Sequence, residues 1–300
     1  MIKYVLGRKK KAIAFLLIML LLILPDLASA DLAVHFLDVG QGDSAIILCD
    51  GEAMIIDGGP PGASQFIYSY IKNTLQLQMI DVMVSTHPHE DHVGGLAAVL
   101  NAVPVDLIIS PTLTWNSKAF NSMLKYAEAQ GTPIVKTIDG DSWYIGSALV
   151  TVVVCWQEAP LTNDTSIVLR IDYGESSFLF TGDAELMAEY IALESATPLK
   201  ADVLKVSHHG SRSCSSLEFL AAVDPRYAVI SCGRNNSYGH PHQEILDRLK
   251  FLGAELYRTD LNGTIICTSD GSNITWQVER TTDKDPFIAP AGKPTMEGLQ

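Results

Sequence analysis

The sequence predicts an α/β fold of the α+β kind, an αββα sandwich in which two sheets pack face to face with helices outside. Three observations carry this. Apolar runs of strand length recur along the chain, at first separated only by turn residues and later by segments of helical length. Hydrophobic residues make up 47% of the 300, enough for one sizeable core. Polar residues with metal-binding or acid–base chemistry stand where strands end, so the strand ends would converge on one edge.

Taken in order, residues 1–30 stand apart. A basic part with Lys3, Arg8, Lys9, Lys10 and Lys11 precedes an apolar run from Ala12 to Leu24 and the small-residue end Ala28-Ser29-Ala30. This is the pattern of a secretory signal peptide, and the run is short of the roughly 20 apolar residues of a membrane span. The expectation is a secreted or extracytoplasmic protein without a stable membrane span after cleavage, or a membrane-anchored one if the leader stays. Removing five basic residues from 21 and one acidic residue from 34 leaves 16 against 33, a net charge of −17 for the remainder. Such a surface repels nucleic acid and anionic lipid wherever salt does not screen it. A polyanionic substrate would have to be drawn in by a local cation. The five cysteines form no C-x-x-C pair and read as small buried hydrophobes, with one disulfide as the alternative.

A single domain is expected over residues 31–280. Leu32 to Val39, Ser44 to Cys49 and Ala53 to Asp57 read as antiparallel strands split by Gly40-Gln41-Gly42-Asp43 and Asp50-Gly51. The Gly40–Asp43 segment lacks the lysine and helix of a phosphate loop and reads as a tight turn. A helix from about Ser64 to Gln76 precedes the buried strand Ile80–Ser85. Gly94 and Gly95 then let the chain turn into a helix through Asn101. Strand Asp106–Ser110, helix Ser117–Gln130, strand Pro133–Thr137 and strands through Trp143–Trp156 follow. Next come strands Thr165–Asp172 and Phe178–Asp183, with a helix from Ala184 to Ser195. Two strand–helix units, Asp202–Ser207 with Ser215–Ala222 and Tyr227–Ser231 with Gln243–Leu252, lead to closing strands from Glu255 to Glu279. Ser211, Ser213, Ser215 and Ser216 supply a helix cap. Residues 281–300, proline-rich and without apolar periodicity, read as a disordered tail.

The chemistry concentrates in Thr86-His87-Pro88-His89-Glu90-Asp91-His92. Three imidazoles and a carboxylate within six positions are ligands for zinc or a related divalent ion, and H-x-H-x-D-H offers them to two adjacent ions from one loop. Asn163-Asp164, Asp183, His208-His209 and the segment Asn235–His242 stand at other strand ends.

With these segments in order, the chain resembles the metallo-β-lactamase superfamily. Within it the chain is similar to the extracytoplasmic C-terminal domain of ComEC-type competence (DNA-uptake) proteins, here free-standing and exported. His35 to Ser44, Ile56 to Gly59, the His87–His92 motif, Asn163 to Val168, Phe180 to Glu185, Lys205 to Ser211 and Asn236 to Pro241 carry the resemblance. It implies that His87 and His89 hold one metal, that Asp91 and His92 hold the second, and that Asp183 bridges them. Against the bridge stands the simpler reading of Asp183 as a helix N-cap. His208 or His209 is the favoured last ligand, His208 being taken as metal-bound. His209 or His240 would then protonate a leaving group, or His240 would hold a phosphoryl oxygen, with Asp91 orienting the nucleophile. Asp38 and Asp57 would lie near the site, Asp57 orienting a ligand histidine.

Hydrolytic members usually place a third histidine for the first metal where this chain has Thr162-Asn163-Asp164. Asn163 or Asp164 is the candidate stand-in, but an amide oxygen is a weak zinc ligand, so the first site is expected to bind its ion less firmly, or to suit manganese better than zinc. The expected cofactor is a pair of divalent ions, zinc first and manganese second, supplying a metal-activated water as nucleophile. The expected function is a secreted metal-dependent phosphodiesterase, a nuclease acting on DNA being included, although the acidic balance and the scattered arginines weaken that version relative to a small phosphodiester such as a phosphocholine ester. The alternatives are a hydrolase of a small ester, lactone, thioester or β-lactam, and a non-catalytic metal-binding module.

Overall fold

The computed structural model describes residues 31–290. The leader expected at 1–30 lies outside the described residues, as do residues 291–300.

Two mixed sheets pack face to face. One has eight strands in the spatial order Ile274–Val278, Ile265–Ser269, Leu32–Phe36, Ala45–Cys49, Glu52–Ile56, Ile80–Val84, Val105–Ile109 and Ile134–Val135. The other has seven, Glu255–Arg258, Tyr227–Ile230, Val203–Lys205, Ser176–Phe180, Val168–Tyr173, Ala148–Val154 and Ser142–Ile145. The early strands pair antiparallel, as their short Gly-containing turns require. Glu52–Ile56 then pairs parallel with Ile80–Val84, and that strand with Val105–Ile109. In the second sheet Ser176–Phe180, Val203–Lys205, Tyr227–Ile230 and Glu255–Arg258 are likewise parallel. Parallel strands end at the same edge, and this brings the residues after Ile56, Val84, Phe180, Lys205 and Ile230 together.

Because side chains alternate along a strand, each sheet buries two faces. Val34, Phe36, Ile47, Met54, Val84, Leu169, Ile171, Phe178 and Phe180 fill the space between the sheets. There the Phe36 and Phe180 rings stack at 5.8 Å. The opposite faces pack on helices. Ile55, Met83 and Ile108 meet Ile67, Leu96, Phe120 and Met123, while Leu179, Leu204, Ala228 and Ile230 meet Ala188, Phe219, Leu220 and Leu246. The αββα architecture is thus as expected, and all five cysteines are free and buried. Among the described residues no helix is long and apolar enough to cross a membrane.

Local departures follow from side-chain competition. Residues Asn163–Thr165 form a 3₁₀ turn, and the strand begins only at Val168. The helix after Asp183 starts at Leu186, and its N-terminal amides are met by Asp164, whose Oδ1 accepts from Glu185 N at 2.8 Å and Ala188 N at 3.3 Å. Asp183 is not that helix's cap. Of the tail expected to be disordered, residues 281–290 lie against strand Glu255–Arg258 and helix Gln243–Phe251. Buried Arg258, paired with Asp260, donates to Pro286 O and Ile288 O, and Ala289 N donates to Gln243 Oε1.

One backbone contact positions the site. Gly58 N donates to His92 O at 2.6 Å and Gly95 N to Gly59 O at 3.1 Å, so the turn after Ile56 touches the turn carrying the histidines. A Cβ on Gly58 would stand 2.6 Å from Leu96 N, and one on Gly95 would run into Gly58 O. Replacing Gly95 by Ala is expected to cost about 1–3 kcal/mol, the usual penalty of overpacking, read as a lower urea midpoint with an unchanged denaturant slope.

Candidate metal centre

Strand Ile80–Val84 delivers Thr86 and His87, and the short helix Glu90–Val93 presents Asp91 and His92. His87 and His92 are fully buried, and Asp91 is part-exposed in the cleft. His87 Nε2 lies 3.1 Å from His89 Nδ1. Strand Ser176–Phe180 ends three residues before Asp183, whose backbone N–H is held by Ser166 Oγ at 3.0 Å. Strand Val203–Lys205 leads into His208 and His209, both with left-handed backbones (φ 47° and 55°). Such φ values cost non-glycine residues about 1–3 kcal/mol each and concentrate at functional sites.

Asp183 is the centre of the arrangement. Its Oδ1 lies 3.2 Å from His92 Nε2 and 3.7 Å from His209 Nε2, while its Oδ2 lies 3.8 Å from His87 Nε2 and 3.7 Å from His208 Nε2. Asp91 Oδ2 approaches His209 Nε2 at 3.3 Å. Ligand atoms of Asp91, His92, Asp183 and His209 all fall within 4.8 Å of one another. Asp183 Oδ1 and His92 Nε2 are buried and have no hydrogen-bond partner, although they face each other. Buried polar atoms are rarely left so. Two buried atoms without a hydrogen-bond partner, 3.2 Å apart in a set of imidazoles and carboxylates, fit a divalent cation once His92 gives up its proton.

Buried carboxylates support this set from behind. Asp57, with a left-handed backbone at the end of strand Glu52–Ile56, accepts from His92 Nδ1 at 2.7 Å and from Thr86 N and Oγ1 at 2.8 and 2.6 Å. This is the role its sequence position predicts. Asp43 places its charge behind His209. Its Oδ1 is 3.2 Å from His209 Nδ1, which also donates to Ser231 O, and its Oδ2 pairs with buried Lys205 at 2.7 Å. Sequence reasoning missed Asp43 and Lys205, reading the first as part of a turn; a lysine ending an apolar strand was the available signal. Asp38 instead pairs with Arg280 at 2.7 Å.

The last-ligand alternatives separate in space. His209 is buried beside Asp91 and His92 at the floor of the cleft, among the residues that line it. His208, 22% exposed, turns its Nδ1 to Glu185 and Ser213. His240, expected on the open side, is 5% exposed beneath Tyr238, with Gln41 donating to its Nδ1 at 3.4 Å. An open cleft of about 320 Å³ is lined by Gln41, His89, Asp91, Asn163, Asp183, His208, Tyr238 and His240. Asp164, suggested as a stand-in ligand, is buried in its capping role, whereas Asn163 reaches the cleft.

The charges of the cluster depend strongly on one another. Burial opposes charge on His92, but Asp183 and Asp57 outweigh it and hold the imidazole well above its usual pKa. Burial opposes charge on His209 as well, and Asp183 and Asp43 still raise it to about 10. Burial would raise Asp183, yet His92 and His209 hold it well below the carboxylate range. Burial and the neighbouring His92 push His87 far down, leaving its lone pair free. Protons on His92 and His209 therefore balance the carboxylates, and a divalent ion is the alternative counter-charge.

A sequence profile of the metallo-beta-lactamase superfamily matches residues 37–234. The chain belongs to that superfamily. It is 31% identical over 266 residues to ComE operon protein 3 of Bacillus subtilis (strain 168), a match covering 83% of this chain and 34% of that protein. It is 29% identical over 234 residues to competence protein ComA of Neisseria gonorrhoeae, covering 78% and 32%. The chain thus spans about a third of the length of these curated relatives, and it corresponds to a ComEC-type metallo-β-lactamase domain. Among solved structures it is similar in fold to the metallo-beta-lactamase fold protein YhfI from Bacillus subtilis (TM-score 0.55, 12% identity, 80% of this chain and 100% of that one). CmlA, a diiron β-hydroxylase from Streptomyces venezuelae, is similar in fold at a TM-score of 0.52 (15% identity, 76% and 52%). The superfamily binds divalent metals, its fold is of the metallo-hydrolase type, and Asp91, His92, Asp183 and His209 form the candidate metal site in this chain.

Three outcomes are expected. Metal binding should release protons, at least one per loaded protein near pH 7, measured by calorimetry in buffers of different ionisation enthalpy. Apparent affinity should rise with pH, since a proton held up to about pH 10 on His209 competes with the ion. Asp57→Asn, which keeps shape but weakens the support of His92, should reduce metal affinity about 10–100-fold while leaving the fold intact by circular dichroism.

Proposed function

We propose that this chain is an exported phosphodiesterase working with two divalent ions, zinc first and manganese as the alternative, and that nucleic acid is its substrate. The observation carrying the reading is Asp183, whose two oxygens face separate histidine pairs. A carboxylate shared in this way suits two ions about 3.5–4 Å apart, the clamp that phosphatases and nucleases place on the attacking and leaving oxygens. His87, His89, Asp91, His92, Asp183 and His209 would hold the ions. When bound, these supply an activated water and polarise the phosphoryl oxygen.

The chain's own residues do the rest. Asp91, fixed near His209 and open to the cleft, can orient the nucleophile. Burial and the neighbouring His209 and His208 depress His240 to about 3, and bound cations would lower it further. It is then neutral near pH 7, and with Gln41 donating to its Nδ1 it carries its proton on Nε2. That suits donating a hydrogen bond to a phosphoryl oxygen. Among the residues lining the cleft none is Lys or Arg, so the ions themselves must attract the phosphate.

Nucleic acid is favoured over a small phosphate ester by the cleft rim. Trp115, 39% exposed, lies beside His89, and Tyr238, 64% exposed, stacks on His240. Aromatics on either side of a phosphodiester site are platforms for bases. The names of the relatives, competence and recombination proteins, agree with DNA. Export rests on the leader alone.

The deciding experiment is a panel of single- and double-stranded DNA, a bis-aryl phosphate, a phosphocholine ester, a lactone and nitrocefin, offered to metal-loaded protein. The reading expects phosphodiester cleavage abolished by chelation, and turnover of only the lactone or nitrocefin would sink it. His89→Ala and Asp91→Ala should lower kcat on the order of 10²–10³-fold, as for loss of a group stabilising transition-state charge. Trp115→Ala and Tyr238→Ala should instead raise KM for single-stranded DNA, each by an amount equivalent to about 1–3 kcal/mol of stacking.

A further inference from the structure

The first site lacks the histidine that hydrolytic relatives place before the Asp183 strand pair, and the structure contains a replacement from another segment. We propose that the adjacent histidines bind different ions, His209 the one held by Asp91 and His92, and His208 the one held by His87 and His89. The inference rests on the two-ion reading above and adds the donor that completes its weaker half.

The geometry of Asp183 divides the pair. Oδ1 faces His92 Nε2 and His209 Nε2 at 3.2 and 3.7 Å, and Oδ2 faces His87 Nε2 and His208 Nε2 at 3.8 and 3.7 Å. Atoms bound about 2.0–2.2 Å from one tetrahedral ion lie roughly 3.3–3.6 Å apart. The His87–His89 nitrogen separation of 3.1 Å is close to that spacing; the contacts of His87 and His208 to Oδ2, at 3.8 and 3.7 Å, are slightly longer, so the two sides meet at Asp183 and would draw in around an ion. Two consecutive left-handed residues allow neighbouring rings to reach opposite sides of one carboxylate, and the His208 and His209 ring planes stand 69° apart.

His208 also has the support a metal-bound imidazole requires on its other nitrogen. Its Nδ1 is 3.2 Å from Glu185 Oε1, as His92 Nδ1 is from Asp57 at 2.7 Å and His209 Nδ1 from Asp43 at 3.2 Å. Glu185 Oε1 in turn accepts from Asn163 Nδ2 at 2.9 Å and Ser213 Oγ at 3.1 Å. The residue at the place of the missing histidine thus acts through Glu185, as a positioning residue for the one that replaces it. The competing donor is Asn163 Oδ1, which is buried and unpartnered.

The test is metal stoichiometry and ligand spectroscopy on the chain stripped with chelator and reloaded with Zn²⁺ or Co²⁺. The wild type should bind two equivalents. His208→Ala should keep one tight equivalent and lose the second or bind it at least a hundredfold more weakly, while His209→Ala should damage the other equivalent. His208→Cys loaded with Co²⁺ should gain a thiolate-to-cobalt charge-transfer band, which a merely structural residue would not produce and which His240→Cys should lack. Two equivalents at wild-type affinity in His208→Ala, or loss of the first ion in Asn163→Ala with His208→Ala unaffected, would overturn the assignment. A wild type binding one ion refutes this inference and leaves the Asp91–His92–His209 ion standing. One binding none removes the proposed function as well.

Discussion

A carboxylate buried at the meeting of two sheets governs this molecule. Taking the Asp183 charge out of water costs several kcal/mol unless partners surround it. Four imidazoles within 3.8 Å supply them, two to each oxygen. They come from two loops distant in sequence, so both sheets must close correctly before the charge is compensated. The same crowding that makes the site expensive without a cation makes it selective for one.

The support behind the ligands repeats a single device. Asp57 holds His92, Asp43 holds His209 and Glu185 holds His208, each carboxylate itself pinned, by Thr86, by Lys205 and by Asn163 with Ser213. A hydrogen-bonded imidazole keeps one tautomer and one ring plane, leaving the far nitrogen free for an ion. Strain is tolerated at the same places. Asp57, His208 and His209 all sit in left-handed conformations, and Gly58 and Gly95 let two backbones touch where a side chain would separate them.

Much of this was legible in the residues. The H-x-H-x-D-H loop is a local pattern, so its ligand chemistry shows without any fold, and the alternation of strand and helix lengths gave the sandwich. Asp57 was legible through the resemblance, which places it near the site, where a carboxylate is the usual partner of a ligand histidine. Asp43 was not, because its turn places it against His209 across 166 residues of chain, and turn composition says nothing of what lies opposite. Asp183 allowed two readings in sequence, helix cap or bridge. They part only when the helix is seen to start at Leu186 with Asp164 meeting its amides.

The sequence by itself determined the ligand types and the strand ends that carry them, since each depends on neighbours within a few residues, and the order of those segments along the chain carried the resemblance to the superfamily. Tertiary structure alone decided the division of His208 from His209, the stacking of His240 under Tyr238 at the cleft, and the docking of residues 281–290 on Arg258. Adjacent histidines are equivalent in a one-dimensional pattern. They become different only when two left-handed backbones turn their rings toward different oxygens of a carboxylate fixed by another strand.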